Sequence, residues 1–115
     1  VIEVAGPAAD GVIYTKASFN PDSDTGIVKE FAEKYEEKYG EKPEVYGATM
    51  YDATRIIADT IEAVGTAPED MKAHILSIHD YPGVSGSTTF MPNGDVEKPV
   101  ELKKIEDGKY VSYRS

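Results

Sequence analysis

Few side chains in this chain have the chemistry to act on another molecule, and their spacing decides between sites and turns. The run Asn20-Pro21-Asp22-Ser23-Asp24-Thr25-Gly26 alternates oxygen-bearing residues as a calcium loop does. Such a loop needs Gly directly after its third ligand and Glu at its twelfth position. Counted from Asn20, those places fall at Thr25 and Phe31, so Gly26 and Glu30 are each displaced by one. The run therefore reads as oxygen groups capping a helix N-terminus, where the helix dipole favours them. Residues 87–99, STTFMPNGDVEKP, hold the densest loop chemistry. A phosphate loop needs several glycines feeding a helix N-terminus, usually with Lys and then Ser or Thr. Here a single Gly94 leads to Val96, Glu97 and Pro99, which do not start a helix. Asn93-Gly94 between extended runs reads as a turn with positive φ, with Asp95 bonding its backbone amides and no metal.

The two histidines, His74 and His79, are five apart, so one helix face cannot present both to a metal. His74 is expected on a helix surface and His79 in the following loop. Ser85 and Ser87 lack the setting of a nucleophile elbow. Arg55 lies three after Asp52 and four before Asp59, which reads as a surface ion-pair chain. The alternative is a clamp on a ligand carboxylate. No general acid, base and nucleophile assemble, so no catalytic residues, cofactor or enzyme activity are assigned. Tyrosine supplies eight of the eleven aromatic residues, which makes amphipathic pocket walls a question. Tyr46 and Tyr51 flank a predicted strand-to-helix junction. There they serve either as core or as walls of a pocket.

These residues need elements to hold them. Gly11–Ser18 is β-branched and aromatic and reads as a buried strand. A helix is expected from the Asp24 region to Tyr39, with Ile27, Phe31, Tyr35 and Tyr39 on one face. Gly40 and Pro43 stop it. After an extended stretch at 44–48, a second helix is expected near Thr49, with Thr49-Met50-Tyr51-Asp52 as capping box. Ala53, Ile57, Ile61 and Val64 form its apolar stripe and Gly65 ends it. Thr66-Ala67-Pro68-Glu69 is a second capping box, opening a helix that carries Met71, Ile75 and Ile78. Residues 86–90, 100–105 and 109–113 read as strands, with Asp107-Gly108 as a hairpin turn. The fold class is α/β: three helices between strands and a C-terminal antiparallel piece.

The chain has 115 residues, enough for one domain with a modest core, and shows no repeat or linker. Its net charge of −9 argues against nucleic acid, which needs clustered Lys and Arg. The absence of cysteine excludes disulfides and thiolate metal sites. No apolar run approaches a membrane span. The first residue is Val1, which suggests a processed chain or an excerpt of a longer one.

Three stretches carry a family resemblance: AADGVIYTKASFNP, FAEKYEEKYGEKPEVYGATMYDATRIIADTIEAVGT and GVSGSTTFMPNGDVEKPVELKKIEDGKYV. In this order and spacing they resemble the C-terminal third of type I periplasmic binding proteins. The nearest branch is the leucine/isoleucine/valine-type receptors of ABC importers. The resemblance implies two Rossmann-like lobes joined by crossover strands, with ligand closed between them by hinge motion. Residues 11–18 and about 86–105 would hold crossover strands, and about 25–80 would be a helical part of the first lobe. FMPNGD would be the family's turn before a crossover, with Met91 where Asp is usual. Tyr46, five before the Tyr of YDA, would be a pocket aromatic, with Ala48, Thr49 and Tyr51 as weaker candidates.

The implied role is an extracytoplasmic solute-binding component, periplasmic or extracellular. It would bind an amino acid or similar small carboxylate and partner an ABC permease. A ligand-sensing receptor domain of the same fold, or an acidic interaction module, are the alternatives. Most groups that grip ligand lie in family segments outside this chain, so it is not expected to bind well alone. Without upstream strands, Val12–Tyr14 and Val100–Leu102 are expected to leave edges open. That favours a swapped or strand-paired oligomer, or association with the rest of the protein.

Overall fold

The computed structural model describes residues 1–24 and 26–113. In chain order the elements are α1 (Ile2–Ala5), a 3-10 turn (Gly6–Ala9), β1 (Ile13–Ala17), α2 (Gly26–Tyr39), α3 (Val45–Val64) and α4 (Pro68–Leu76). The strands β2 (Tyr81–Gly83), β3 (Gly86–Phe90), β4 (Val96–Glu97), β5 (Val100–Glu106) and β6 (Lys109–Ser112) follow. They form two units: residues 1–17 with the chain from Val100 onward, and Ser18–Pro99.

The first unit is an antiparallel sheet in the order β1-β5-β6. β1 pairs with β5 from Ile13↔Lys104 to Ala17↔Val100, and β5 pairs with β6 from Lys103↔Ser112 to Glu106↔Lys109. Asp107 and Gly108 both have positive φ, 50° and 69°, as the two-residue turn demands. Gly11 N–H donates to Ile105 O at 2.8 Å, and Ile105 N–H to Val12 O at 2.9 Å, which prolongs the ladder. Ile105 and Ala9 are buried at the centre. Two expectations change here. β1 and β5 pair with each other, so β5, with Val100–Leu102, has partners on both sides, while β1 keeps one open edge. Nor is β1 buried: its side chains alternate between exposed and half-buried.

In the second unit, Phe19, Phe31, Ala48 and Val84 form the core, with Val28, Tyr35 and Val45 packed against it. Of the predicted α2 stripe, Phe31 is buried and Tyr35 half-buried, while Ile27 and Tyr39 are exposed. The capping expectation for α2 falls on Thr25, outside the described residues. β2, β3 and β4 make a second antiparallel sheet, order β2-β3-β4. β2 and β4, of three and two residues, were too short to show a period in the sequence. Met91 N–H donates to Asp95 O and Gly94 N–H to Met91 O, both at 2.8 Å, so Asn93-Gly94 is a turn. The Asp95 carboxylate accepts from the Asn93 side-chain amide at 2.7 Å rather than from backbone amides.

α3 departs most from expectation. It begins at Val45, so the stretch at 45–48 is its first turn and not extended. Val, Tyr and Gly are weak helix formers, but Val45 and Ala48 pack into the core, and packing outweighs propensity. Thr49 is therefore inside the helix and caps nothing; its hydroxyl donates to Val45 O at 2.9 Å. The buried positions are Ala48, Asp52, Ile56 and Thr60. The predicted stripe of Ala53, Ile57, Ile61 and Val64 lies one residue further on, about 100° round the helix. Ile57, Ile61 and Val64 are exposed. The second capping box is also absent: Ala67 is the N-cap and makes no side-chain cap bond, while Pro68 starts α4 one residue later than the box needs. Ile78 lies beyond the end of α4.

Candidate functional site

Asp52 organises the second unit from the middle of α3. It is buried, and one carboxylate oxygen accepts the Val84 N–H at 2.8 Å while the other accepts the Ser85 N–H at 2.8 Å. Those two residues are the tip of the β2–β3 hairpin. Lys98 Nζ donates to Ser85 Oγ at 2.6 Å and stands 3.8 Å from Asp52. The carboxylate thus satisfies two backbone donors that would otherwise be buried without partners. Gly83 is required there: a Cβ would run into the Asp52 carboxylate.

Beside this seat, α2, α3 and β2 enclose a groove of about 750 Å³. Its floor is aromatic. Phe31 lies 4.7 Å from Tyr51 and 5.8 Å from Tyr35 between ring centroids. Its rim carries Glu30, Lys34, Lys38, Arg55 and Asp59. Lys34 pairs with Glu30 at 2.7 Å, raising the lysine and lowering the carboxyl relative to their usual ranges. Arg55 donates to the Tyr51 hydroxyl at 3.3 Å, the main cause that holds its guanidinium above its usual range. The Tyr81 hydroxyl donates to Asp59 at 2.6 Å. Burial first, and this contact second, push Tyr81 above the ordinary phenol value.

The expected Asp52–Arg55–Asp59 ion-pair chain does not form. Asp52 is turned to the hairpin, and Tyr81 occupies Asp59. His74 lies in the last turn of α4 and is half-buried; His79 is exposed in the loop that follows. Among the described residues, no group of three or more His, Asp or Glu side chains is arranged to hold a metal.

The four candidate binding residues separate. Tyr46 is 79% exposed on the first turn of α3 and lies outside the groove lining. Thr49 is exposed with its hydroxyl engaged on Val45 O. Tyr51, 38% exposed, lines the groove. Ala48 is 0% exposed and belongs to the core. Sequence reasoning missed Tyr81, whose two-residue distance from Gly83 gave no period to read. It placed Arg55 on the surface without its tyrosine partners, which come from a turn of the same helix and from a distant hairpin.

Comparison with known proteins bears on the whole chain. A family model described as periplasmic binding protein matches residues 1–109. No curated protein matches. Among solved structures, a leucine-binding protein of Thermotoga maritima is 31% identical with a TM-score of 0.74; the match covers 98% of this chain and 33% of that one. An ABC transporter substrate-binding protein of Desulfitobacterium hafniense is 30% identical with a TM-score of 0.77, covering 95% and 33%. Another structure from that organism, in complex with Leu, is 28% identical with a TM-score of 0.74, covering 91% and 32%. The chain therefore spans about a third of the length of these relatives. No helix among the described residues is long and apolar enough to cross a membrane. With the family model matched nearly end to end and solved relatives of the same fold over almost all of it, the chain belongs to the type I periplasmic binding protein family.

Proposed function

We propose that this chain is the C-terminal part of an extracytoplasmic solute-binding component of an ABC importer. Its ligand is an amino acid or similar small carboxylate, held between two lobes and handed to a membrane permease. The observation that carries this is the 31% identity over 98% of the chain to a leucine-binding protein. The relative solved in complex with Leu supports the ligand class. The protein acts in the periplasm or at the outer face of the cell envelope, and it binds without catalysis.

In this reading residues 11–18 and about 86–105 contain crossover strands and about 25–80 form a helical part of the first lobe. The unit boundaries after Ala17 and Pro99 support that division. Tyr46 is the cleft aromatic. A wide, exposed ring on the first turn of a twenty-residue helix offers apolar contact to a ligand. Thr49 and Tyr51 stay as secondary candidates; Ala48, sealed in the core, does not.

Calorimetry on the full-length protein tests both parts. Binding of a branched-chain amino acid is expected, and Tyr46→Ala should weaken it by about 1–3 kcal/mol. A full-length protein that binds no amino acid overturns the ligand class. Unchanged affinity in the folded variant removes Tyr46 from the cleft.

A further inference from the structure

The chain has two asparagines, Asn20 before Pro21 and Asn93 before Gly94. An asparagine side chain can be attacked at Cγ by the backbone nitrogen of the next residue, which closes a cyclic imide. A proline nitrogen carries no proton to lose, so Asn20 lacks the nucleophile. Glycine, without a Cβ, supplies the least hindered one. The fold leaves this second pair open. Residues 91–97 are exposed, and a Cβ at Gly94, whose φ is 91°, would meet nothing within 4 Å, so no neighbour obstructs a ring there. The Asp95 N–H donates to Asn93 Oδ1 at 3.1 Å. It draws density from Cγ and stands where negative charge develops on that oxygen during attack. One restraint opposes the reaction: the Gly94 N–H is engaged on Met91 O at 2.8 Å. That bond must open first. The turn it closes leads into β4, a strand of two residues with two register pairs to β3, so opening disturbs little else.

We propose that Asn93 is a site of spontaneous deamidation, and that the carboxylate formed there drives the β3–β4 turn open. The Gly94 amide gives its proton to water, its nitrogen bonds to Asn93 Cγ, and the Cγ–Nδ2 bond breaks. The side-chain nitrogen takes up a proton and leaves as ammonia. Water then opens the imide at either carbonyl. Cleavage at Cγ gives aspartate; cleavage at the main-chain carbonyl gives isoaspartate, with the chain rerouted through Cβ and Cγ. One water is consumed, one ammonia is released and, at neutral pH, one negative charge is added to the −9 of the chain. Intact Asn93 donates its side-chain amide to the Asp95 carboxylate at 2.7 Å. The product puts a second carboxylate in that place, so a hydrogen bond becomes repulsion between like charges.

The test ages the 115-residue chain at mildly alkaline pH and follows it by mass spectrometry, with peptide separation to place the change and to distinguish isoaspartate from aspartate. The same chain unfolded in guanidinium chloride sets the rate without the turn. Conversion is expected at Asn93 alone, as a mixture of both products, in the folded chain and faster in the unfolded one. Asn93→Asp supplies the product side chain directly. Hydrogen exchange of the Met91 and Gly94 amides should be at least about tenfold faster in it, with the amides of α3 unchanged. Asn93→Asp combined with Asp95→Asn again sets a donor against a carboxylate and should return both amides to their original rates. Where Asn93→Asp fails to fold, the aged chain itself supplies the same exchange measurement. A folded chain that stays intact while the unfolded one converts, conversion at Asn20, aspartate as the sole product, unchanged exchange at Met91 and Gly94, or a double variant that stays open would each overturn the proposal.

Discussion

Tyr81 and Asp59 meet at 2.6 Å, the phenol donating and the carboxylate accepting. Burial and this contact raise the phenol above its ordinary value, so the folded state holds that proton more tightly than the unfolded chain. The stabilisation is whole below about pH 10 and is lost as pH rises through the raised value. Tyr81→Phe should cost about 0.5–1 kcal/mol near neutral pH, since the pair is partly solvated. Urea unfolding of both proteins at about pH 8 and about pH 11 checks this; a gap that stays constant across that interval contradicts it. Little of this was legible beforehand. Asp59 and Arg55 sit four apart on a helix, and that spacing looks like an ion pair until a tyrosine from the hairpin comes between them. Tyr46 was legible only through its place before the YDA motif, because exposure cannot be read from an isolated aromatic.

Elements show more clearly why sequence reading succeeded in places and failed in others. Gly40 and Gly65 end their helices, with N–H groups on Glu36 O and Ile61 O at 2.8 Å each. Asp107-Gly108 turns β5 into β6. These signals are local and need no tertiary context. The inward face of α3 was unreadable because two of its four buried positions, Asp52 and Thr60, are polar. A rule that seeks apolar residues chooses the neighbouring stripe. Asp52 is tolerated because the hairpin brings it two amides and the Ser85 hydroxyl, with Lys98 3.8 Å away. Asp52→Ala should therefore leave Val84 and Ser85 donors buried and unpaired, costing about 2–4 kcal/mol, with Asp52→Asn costing less because it keeps an acceptor. Gly83→Ala should cost about 1–3 kcal/mol by pushing on the same carboxylate. Denaturant midpoints measure all three variants. A Gly83→Ala protein as stable as its parent would mean that the hairpin tip has room to shift.

At the scale of the whole molecule, the family was legible because three motifs recur in order across nearly all of the chain. The sheets were less so. Crossover strands were expected to lack partners, yet Val12–Tyr14 and Val100–Leu102 belong to strands that face one another. What stays uncovered is apolar side-chain area: Tyr46, Met50, Ile57, Ile61, Val64 and Val100 are all exposed. In relatives three times as long, more chain is present to cover such a surface. We expect the isolated chain to self-associate through these residues and the outer edges of β1 and β6. The net charge of −9 opposes this only within about a Debye length. Sedimentation velocity should show a mass that grows from 12.5 kDa with concentration and a weaker association at low salt. A folded monomer at every concentration would refute it.

The pairing of Ala17 with Val100 has a consequence for how such a protein can be cut and rejoined. The segment Ser18–Pro99 leaves β1 and returns to β5 at partnered residues. Its own two ends also converge, since a Cβ added at Gly86 would meet both the Pro99 ring and, at 3.8 Å, the Ser18 side chain. Topologically the segment is an insertion with a narrow neck. Such a segment can be exchanged for another at its ends, or the chain begun inside it, with the joins made at residues that already pair.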